Sequence, residues 1–407
     1  MRASGVVTRA KLAHSAMPAD LREPPPLDAD ARAHAARVVD ALRAAIDSDG
    51  GALAFDAYME LALYAPRLGY YAAGAHKLGA GGDFVTAPEV SRLFGRALAR
   101  QLAPSTGFGG MLLELGPGSG ALACDLLLEL DALGAAPTVY FLLEPSPDLR
   151  ERQRARIASL PPALAKRAVW LDALPDQPIG GAIVANEVLD ALPCERFVVR
   201  GGEMRELTVA RAGDAFALVE RKASAALERA VRALEAARGA PFADGYAHET
   251  RTRLAPFVAT LARALGHGQL LCIDYGLDRR ALYAAERSMG TFRAFHRQHA
   301  FDDALFRPGL CDLTAWVDFT TVAEAATAAG LELVGYTTQA QFLLGCGIAE
   351  LAAASGPDVA ALARASSAVQ RLTLPAEMGE CFKAIGFTRG AVEPLPGFAG
   401  RDLAHLL

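Results

Sequence analysis

Residues 111–130 read MLLELGPGSGALACDLLLEL. An apolar run ending on an acid, three glycines at alternate positions and a second apolar run of helical character predict a strand, a tight turn and a helix. Glycine lets the backbone of such a turn approach a ligand closely and take left-handed conformations. Two ligands fit the spacing: Gly116-x-Gly118-x-Gly120 is the loop pattern of S-adenosylmethionine (SAM) methyltransferases, and Gly116-x-Gly118-x-x-Ala121 also satisfies the dinucleotide fingerprint. The loop alone does not choose between them.

The flanking sequence sets the fold class. Strand candidates follow at TVYFLLE (138–144), AVWL (168–171), AIVAN (182–186) and QLLCID (269–274), with a last one at LELVGYTT (331–338). They alternate with helical runs, which predicts an α/β chain built on a mostly parallel, Rossmann-like sheet. The gap between the fourth and fifth strands is too long for a simple crossover and reads as an insertion. It opens with ERFVVRGGEMRELTVAR (195–211), a hairpin signal at Gly201-Gly202, and continues into LVERKASAALERAVRALEAARG (218–239), a charged helix carrying Leu227, Val231 and Leu234 on one face. The segments expected are a mobile N-terminal tail (1–27), a helical and loop extension covering the site (28–108), a core (109–194 and 266–345), the inserted hairpin and helix (195–265) and a C-terminal extension (346–407). The proline-rich LREPPPLDAD (21–30) marks the end of the tail.

Composition narrows the function. The 407 residues are 52% hydrophobic and carry a net charge of −5, enough apolar material for a large core and no overall basic field for nucleic acid. A protein or small-molecule substrate is favoured. Six scattered cysteines without a CxxC pair suggest neither a disulfide framework nor a zinc site, so no metal is expected and a reducing, cytoplasmic compartment fits. No apolar run approaches the roughly 18 residues that span a bilayer. The first 19 residues hold Arg2, Arg9 and Lys11 and no acid, which weakly resembles an organelle-targeting peptide and would place the protein in the mitochondrial matrix; with no cleavage signal legible, a flexible start of an alanine-rich bacterial chain is the preferred reading.

The ends of the strands carry the chemistry. Glu144, closing the second strand, stands where an acid accepts hydrogen bonds from ribose hydroxyls in either adenosine-binding fold. The fourth strand runs into NEVLDALP, which puts Asn186, Glu187 and Asp190 at the carboxyl edge of the sheet, where open α/β folds bind ligands. Carboxylates and an amide there suit a cationic substrate. A dehydrogenase more often places a His or Lys proton donor at that edge, and the nearest histidines, His248 and His267, fall in the insertion and before the fifth strand. SAM is therefore the expected cofactor. Glu187 and Asp190 face the same way if their segment is helical, and together they would grip a guanidinium bidentately; helix capping accounts for the same pair. Glu114 would orient the glycine loop or reach an ammonium group, or cap loop amides.

Longer strings carry a family resemblance: GYYAAGAHKLGAGGDFVTAPEVSRLFG (69–95), LLELGPGSGAL (112–122), VANEVLDALPCERF (184–197), GTFRAFHRQHAFDDALFRPGLCDLTAWVDFT (290–320), TTQAQFLLGCG (337–347) and LPAEMGECFKAIGF (374–387). In these the sequence resembles the MidA-like family, which includes the mitochondrial complex I assembly methyltransferase, over about residues 50–400. The resemblance implies a class I SAM-dependent methyltransferase fold. It also implies methyl transfer to an arginine of a protein partner, a respiratory complex I subunit, and leaves a homodimer open. Two rival functions stay in view, a SAM-binding assembly factor without turnover and an NAD-dependent oxidoreductase. By the same resemblance Asp172 occupies the place where related enzymes bind the adenine amino group; an exposed turn acid accounts for it nearly as well. Asp83, Phe84, Thr86 and Glu89 sit in the family's most recognisable loop, with Phe84 covering the cofactor and Asp83 and Glu89 meeting substrate; alternatively Thr86 and Glu89 start a helix. Tyr70 and Tyr71 would wall the substrate entry, and Asp312 is a further substrate contact or a turn cap. The Glu187/Asp190 pair departs from the double-glutamate loop of the common arginine methyltransferases.

Overall fold

A computed structural model describes residues 26–73, 86–107, 109–297, 299–354, 356 and 358–407. Its centre is a sheet whose seven main strands are β1 (Met111–Leu115), β2 (Tyr140–Leu143), β3 (Ala168–Leu171), β4 (Ile179–Asn186), β5 (Leu265–Leu277), β6 (Glu332–Thr338) and β7 (Phe382–Arg389). Their spatial order is β6-β7-β5-β4-β1-β2-β3, and a two-residue strand, Val317–Asp318, pairs with the end of β5. The pairs among β1 to β5 are parallel, while β7 runs antiparallel to both β5 and β6. This is the α/β class expected from the sequence, a mostly parallel Rossmann-like sheet.

The central strands are apolar on both faces because both faces are covered. Leu112, Ala182, Val184, Leu271 and Ile273 point to one side, where the helices Arg92–Thr106 and Ala121–Ala132 supply Phe94, Leu98, Leu102 and Leu126. Leu113, Ile183, Ala185, Leu270 and Cys272 point to the other, against Val258 and Leu261 of the helix Leu254–Ala264 and Val322 of the helix Phe319–Ala328. Chain order reverses between β1 and β4: β2 and β3 lie on one side of β1, and β4 and β5 on the other. The crevice at that switch point is where an open α/β sheet binds its ligand.

The insertion builds a second, antiparallel sheet. Glu195–Arg200 and Glu203–Ala212 form the hairpin at Gly201-Gly202, Ala215–Lys222 pairs with the second of these strands, and Ala247–Thr250 pairs with the first. Ala52–Ala54, from the N-terminal extension, pairs antiparallel with Glu203–Ala212 and ties the two additions together. Leu227, Val231 and Leu234 of the helix Ala225–Arg238 pack against Phe197, Val199 and Met204 of this sheet.

The structure corrects three boundaries. LVERK (218–222) is strand, because its register against Arg205–Val209 uses its backbone groups; the helix starts only after Ser224, whose hydroxyl accepts from the Leu227 N–H at 3.2 Å. The helix Leu254–Ala264, expected inside the insertion, belongs to the core by its packing. Residues 346–407 are more than an appended extension, since FKAIGFTR (382–389) is β7, buried along nearly its whole length between β5 and β6. Among the described residues no helix is long and apolar enough to cross a membrane.

A strand buried on both faces makes a substitution there costly. Phe387→Ala removes a fully buried ring and should lower stability by about 3–5 kcal/mol in denaturant melts. Val359→Ala, at a site 80% exposed, should stay within about 0.5 kcal/mol of the parent.

Candidate functional site

The glycine loop closes β1 with backbone that only glycine adopts readily. Gly116, Gly118 and Gly120 have φ of 56°, 53° and 79°, all in the left-handed region where a Cβ is strained. The loop is also held from behind. The Gln153 amide donates to the Gly118 carbonyl at 2.8 Å and to Glu144 Oε2 at 3.2 Å, and its oxygen accepts from Trp170 Nε1 at 2.9 Å. Glu144 Oε1 accepts from the Ser146 N–H at 2.9 Å. Gln153 is thus a fully buried strut between the loop and the acid at the end of β2.

Glu114 lies beneath the loop and accepts from the Tyr140 hydroxyl at 2.7 Å. Burial pushes its carboxyl up to about 7, and that hydrogen bond limits the rise. From above, the segment after residue 85 comes down on the loop: Glu89 accepts from the Ser119 hydroxyl and from Arg156 Nη1, the latter at 3.2 Å. Thr86 precedes a short helix, Ala87–Val90, without capping it, and the long helix begins separately at Arg92, where the Ser91 hydroxyl accepts from the Leu93 N–H.

The third side of the crevice follows β4. Asn186–Asp190 is not helical; Glu187 has a φ of 54°, rare for a residue with a side chain. Its Oε1 accepts from the Ala87 N–H and from Asn186 Nδ2, both at 3.2 Å. Burial pushes the Glu187 carboxyl up to about 8; the Asp190 carboxylate adds to the rise, and the two donors oppose it. Asp190 accepts a hydrogen bond from the Tyr275 hydroxyl on Oδ2, while its Oδ1 and the Oδ1 of Asn186 are buried with no hydrogen-bond partner among the described residues.

These three sides enclose a cavity of about 650 Å³. Among the described residues its floor is Glu114–Ser119, one wall is Leu143–Pro145, and the opposite wall is Asn186–Val188 with Ala191–Pro193. Tyr64 and Tyr71 close a further side as a stacked pair with ring centres 5.5 Å apart. Their hydroxyls are anchored, Tyr64 on the Ala191 carbonyl at 2.8 Å and Tyr71 on Asp312 Oδ1 at 2.7 Å.

Of the residues expected from sequence, Glu114, Gly116, Gly118, Glu144, Asn186, Glu187, Thr86 and Tyr71 line this cavity. Gly120 sits behind the loop facing Gln153, and Tyr70 is buried behind Tyr71. Four other expected residues stand apart from the lining among the described residues. Asp172 is 91% exposed, pairs with Arg150 at 2.7 Å and is not in the lining. Glu89 is spent on Ser119 and Arg156. Asp312 acts on Tyr71 rather than lining the cavity. Asp190 does not share a helical face with Glu187, because the turn sends its side chain to Tyr275, so the two do not form a two-toothed clamp. Asp83 and Phe84 lie outside the described residues. Sequence reasoning missed Gln153, Tyr64 and Asp274. Only Asp274 had a signal, as an acid at the carboxyl end of the fifth strand.

Comparison with known proteins agrees with this geometry. A family model described as "Putative S-adenosyl-L-methionine-dependent methyltransferase" matches residues 94–337. A protein arginine methyltransferase named NDUFAF7, mitochondrial, from Danio rerio is 30% identical over 82% of each chain, and the Drosophila melanogaster homologue is 30% identical over 84% of each. A Burkholderia thailandensis protein crystallised with S-adenosyl-homocysteine is 40% identical, with a TM-score of 0.89 over 95% of this chain and 100% of that one. The chain belongs to the MidA-like family and is a SAM-dependent methyltransferase. The dinucleotide alternative for the glycine loop is thereby set aside. The cavity fits SAM on its own features: its volume falls in the range of about 300–1,000 Å³ usual for small-molecule sites, its floor includes the backbone of Gly116 and Gly118, and buried acceptors stand on two sides.

A side chain at Gly118 would strain the turn and fill the floor. Gly118→Val should abolish S-adenosyl-homocysteine binding in calorimetry while circular dichroism stays that of the parent.

Proposed function

We propose that this methyltransferase acts on an arginine of a protein partner. The observation that carries the reading is the charge of the cavity. Its acidic lining among the described residues is Glu60, Glu114, Glu144 and Glu187, and its basic lining is Arg253, which is already paired with Asp56 and Glu60 at 3.1 and 2.9 Å. A site holding Glu187 buried without a cation is complementary to one that arrives with the substrate. Guanidinium, planar and charged at any physiological pH, suits the carboxylate and the two tyrosine rings beside it. The names of the curated relatives agree with that acceptor, and the family resemblance suggests a respiratory complex I subunit as the partner. The compartment follows the host: the bacterial cytoplasm, or the mitochondrial matrix for a chain with a transit peptide.

The residues divide the work. Glu144 would accept from the ribose hydroxyls, and Asn186 Oδ1 and Glu114 from the ammonium group. Bound SAM supplies an electrophilic methyl on a sulfonium. The substrate nitrogen that gains this methyl loses a proton. Glu187 Oε1 is occupied by Ala87 and Asn186, which leaves Oε2 to orient the guanidinium and take that proton. Much of the acceleration then comes from orientation. Incubating the enzyme with labelled SAM and lysate of a deletion strain tests the reading: label recovered as methylarginine supports it, and label on another residue or only on small molecules overturns it. Tight SAM binding with no transfer to any lysate protein would favour an assembly factor without turnover.

Glu144→Ala should weaken S-adenosyl-homocysteine binding by roughly 1.5–3 kcal/mol. Calorimetry with a 2′-deoxy analogue checks the partner, since the parent should lose affinity for the analogue and the mutant should lose little more.

Glu187→Gln should leave SAM affinity near that of the parent and slow methyl transfer by roughly 10²-fold or more in the labelling assay. The parent should also show a pH signature. A bound cation favours the charged carboxylate, so with a free-enzyme value of about 8 a proton must leave before the substrate binds. Apparent substrate affinity should therefore fall by about tenfold per unit as pH drops below 8. The Gln variant should lose that slope.

A further inference from the structure

The backbone around Glu187 is fixed by two buried polar side chains, the Asp274 carboxyl and the Arg251 guanidinium. Asp274, at 0% exposure beside the end of β4, accepts on its Oδ2 from the N–H groups of Val188, Leu189 and Asp190 at 3.1, 2.8 and 3.2 Å. The Glu187 N–H itself goes to the Ile273 carbonyl at 2.9 Å. From the opposite side Arg251, also buried, donates to carbonyls: Asp190 at 2.6 Å and Leu192 at 3.0 Å in the same segment, with Ala315 at 2.6 Å and Trp316 at 2.8 Å in the neighbouring one. The carboxyl takes the segment's donors and the guanidinium its acceptors.

Neither side chain has an evident reason to be buried for stability alone, because desolvating a carboxyl or a guanidinium costs more than a few hydrogen bonds to neutral backbone usually return. What the arrangement does accomplish is local. Glu187 keeps a left-handed φ, which persists only where the surroundings over-determine it. Arg251 follows directly on the inserted strand Ala247–Thr250, so the insertion reaches the catalytic edge of the sheet through this side chain.

We infer that Asp274 and Arg251 are positioning residues for methyl transfer, which clamp residues 188–192 from both sides and so aim the Glu187 carboxylate into the cavity. The inference rests on Glu187 being the group that meets the substrate. Neither residue is in the cavity lining, so both act through the segment they hold. Arg251→Lys is the informative change: it keeps the positive charge and loses the fork that spans four carbonyls. The groups facing Glu187 are the Asp190 and Asp274 carboxyls, the Asn186 amide and the Cys381 thiol. All of them are unchanged in this variant.

Two measurements test the inference. In the labelled-SAM lysate assay, Arg251→Lys and Asp274→Asn should each leave the KM for SAM within about twofold and lower the transfer rate by about tenfold or more. Added to Glu187→Gln they should lower the rate little further, because they act through the same carboxylate. Independently of any substrate, the Glu187 carboxyl is followed by ¹³C NMR and assigned with Glu187→Gln. In Arg251→Lys its titration midpoint should move down by about one pH unit or more, as the side chain leaves its buried pose. Thermal melts and S-adenosyl-homocysteine binding establish that each variant is folded. A folded Arg251→Lys variant whose midpoint matches the parent's, or rate losses that multiply fully with Glu187→Gln, would overturn the inference. Absence of methylarginine in the parent assay would instead count against the proposed function, and the midpoint would still decide the clamp.

Discussion

β4 is hydrogen-bonded along its length to β1 on one side and β5 on the other, with Ala185 opposite Leu115 and Asn186 opposite Ile273. That register leaves the chain after Asn186 one place to go, the crevice where strand order reverses. The glycine loop leaves the adjacent end of β1, Glu144 closes β2 one strand further along, and Asp274 lies near the end of β5 at the same level. The site is therefore assembled from four strand ends that the ladder holds in step. A one-residue slip of β4 would turn Ile183 and Ala185 from one core face to the other, and with them the direction in which Glu187 emerges.

Within that crevice, charge is managed by backbone more than by ion pairs. Asp274 is held by four N–H groups, Arg251 by four carbonyls, and Glu144 accepts from one N–H and the Gln153 amide. Pairing Glu187 with an internal arginine would have satisfied the carboxylate and removed its use. Left with an amide and a single N–H, it keeps an affinity for protons and for an incoming cation. The tyrosines follow the same economy, since Tyr64 and Tyr71 give their hydroxyls to the protein and their rings to the cavity.

The additions to the core are structural partners of the site as well as covers. The N-terminal segment contributes Tyr64, Tyr71 and the Ala87 N–H, and the insertion is followed at once by Arg251. The C-terminal segment, by contrast, completes the sheet: β7 pairs with β5 and β6 and covers the hydrogen-bonding edge that β5 would otherwise expose.

Local sequence determined the strand–loop–helix at 111–130, the hairpin at Gly201-Gly202 and the apolar face of Leu227, Val231 and Leu234, because each is a short-range pattern of glycine placement or periodicity. It also placed Glu144 and Glu187 at strand ends, since an apolar run that stops on a polar residue marks where a buried strand meets solvent. β7 escaped because FKAIGFTR carries no signal that it returns to the middle of a distant sheet. The helical phase assumed for Glu187 and Asp190 failed because three N–H groups turn to Asp274, 84–86 residues away, and no local pattern reports such a partner. Gln153, Tyr64 and Arg251 have the same origin. Their roles exist only once residues remote in the chain are adjacent, so tertiary structure alone decided which side chains aim the site and which merely stand near it.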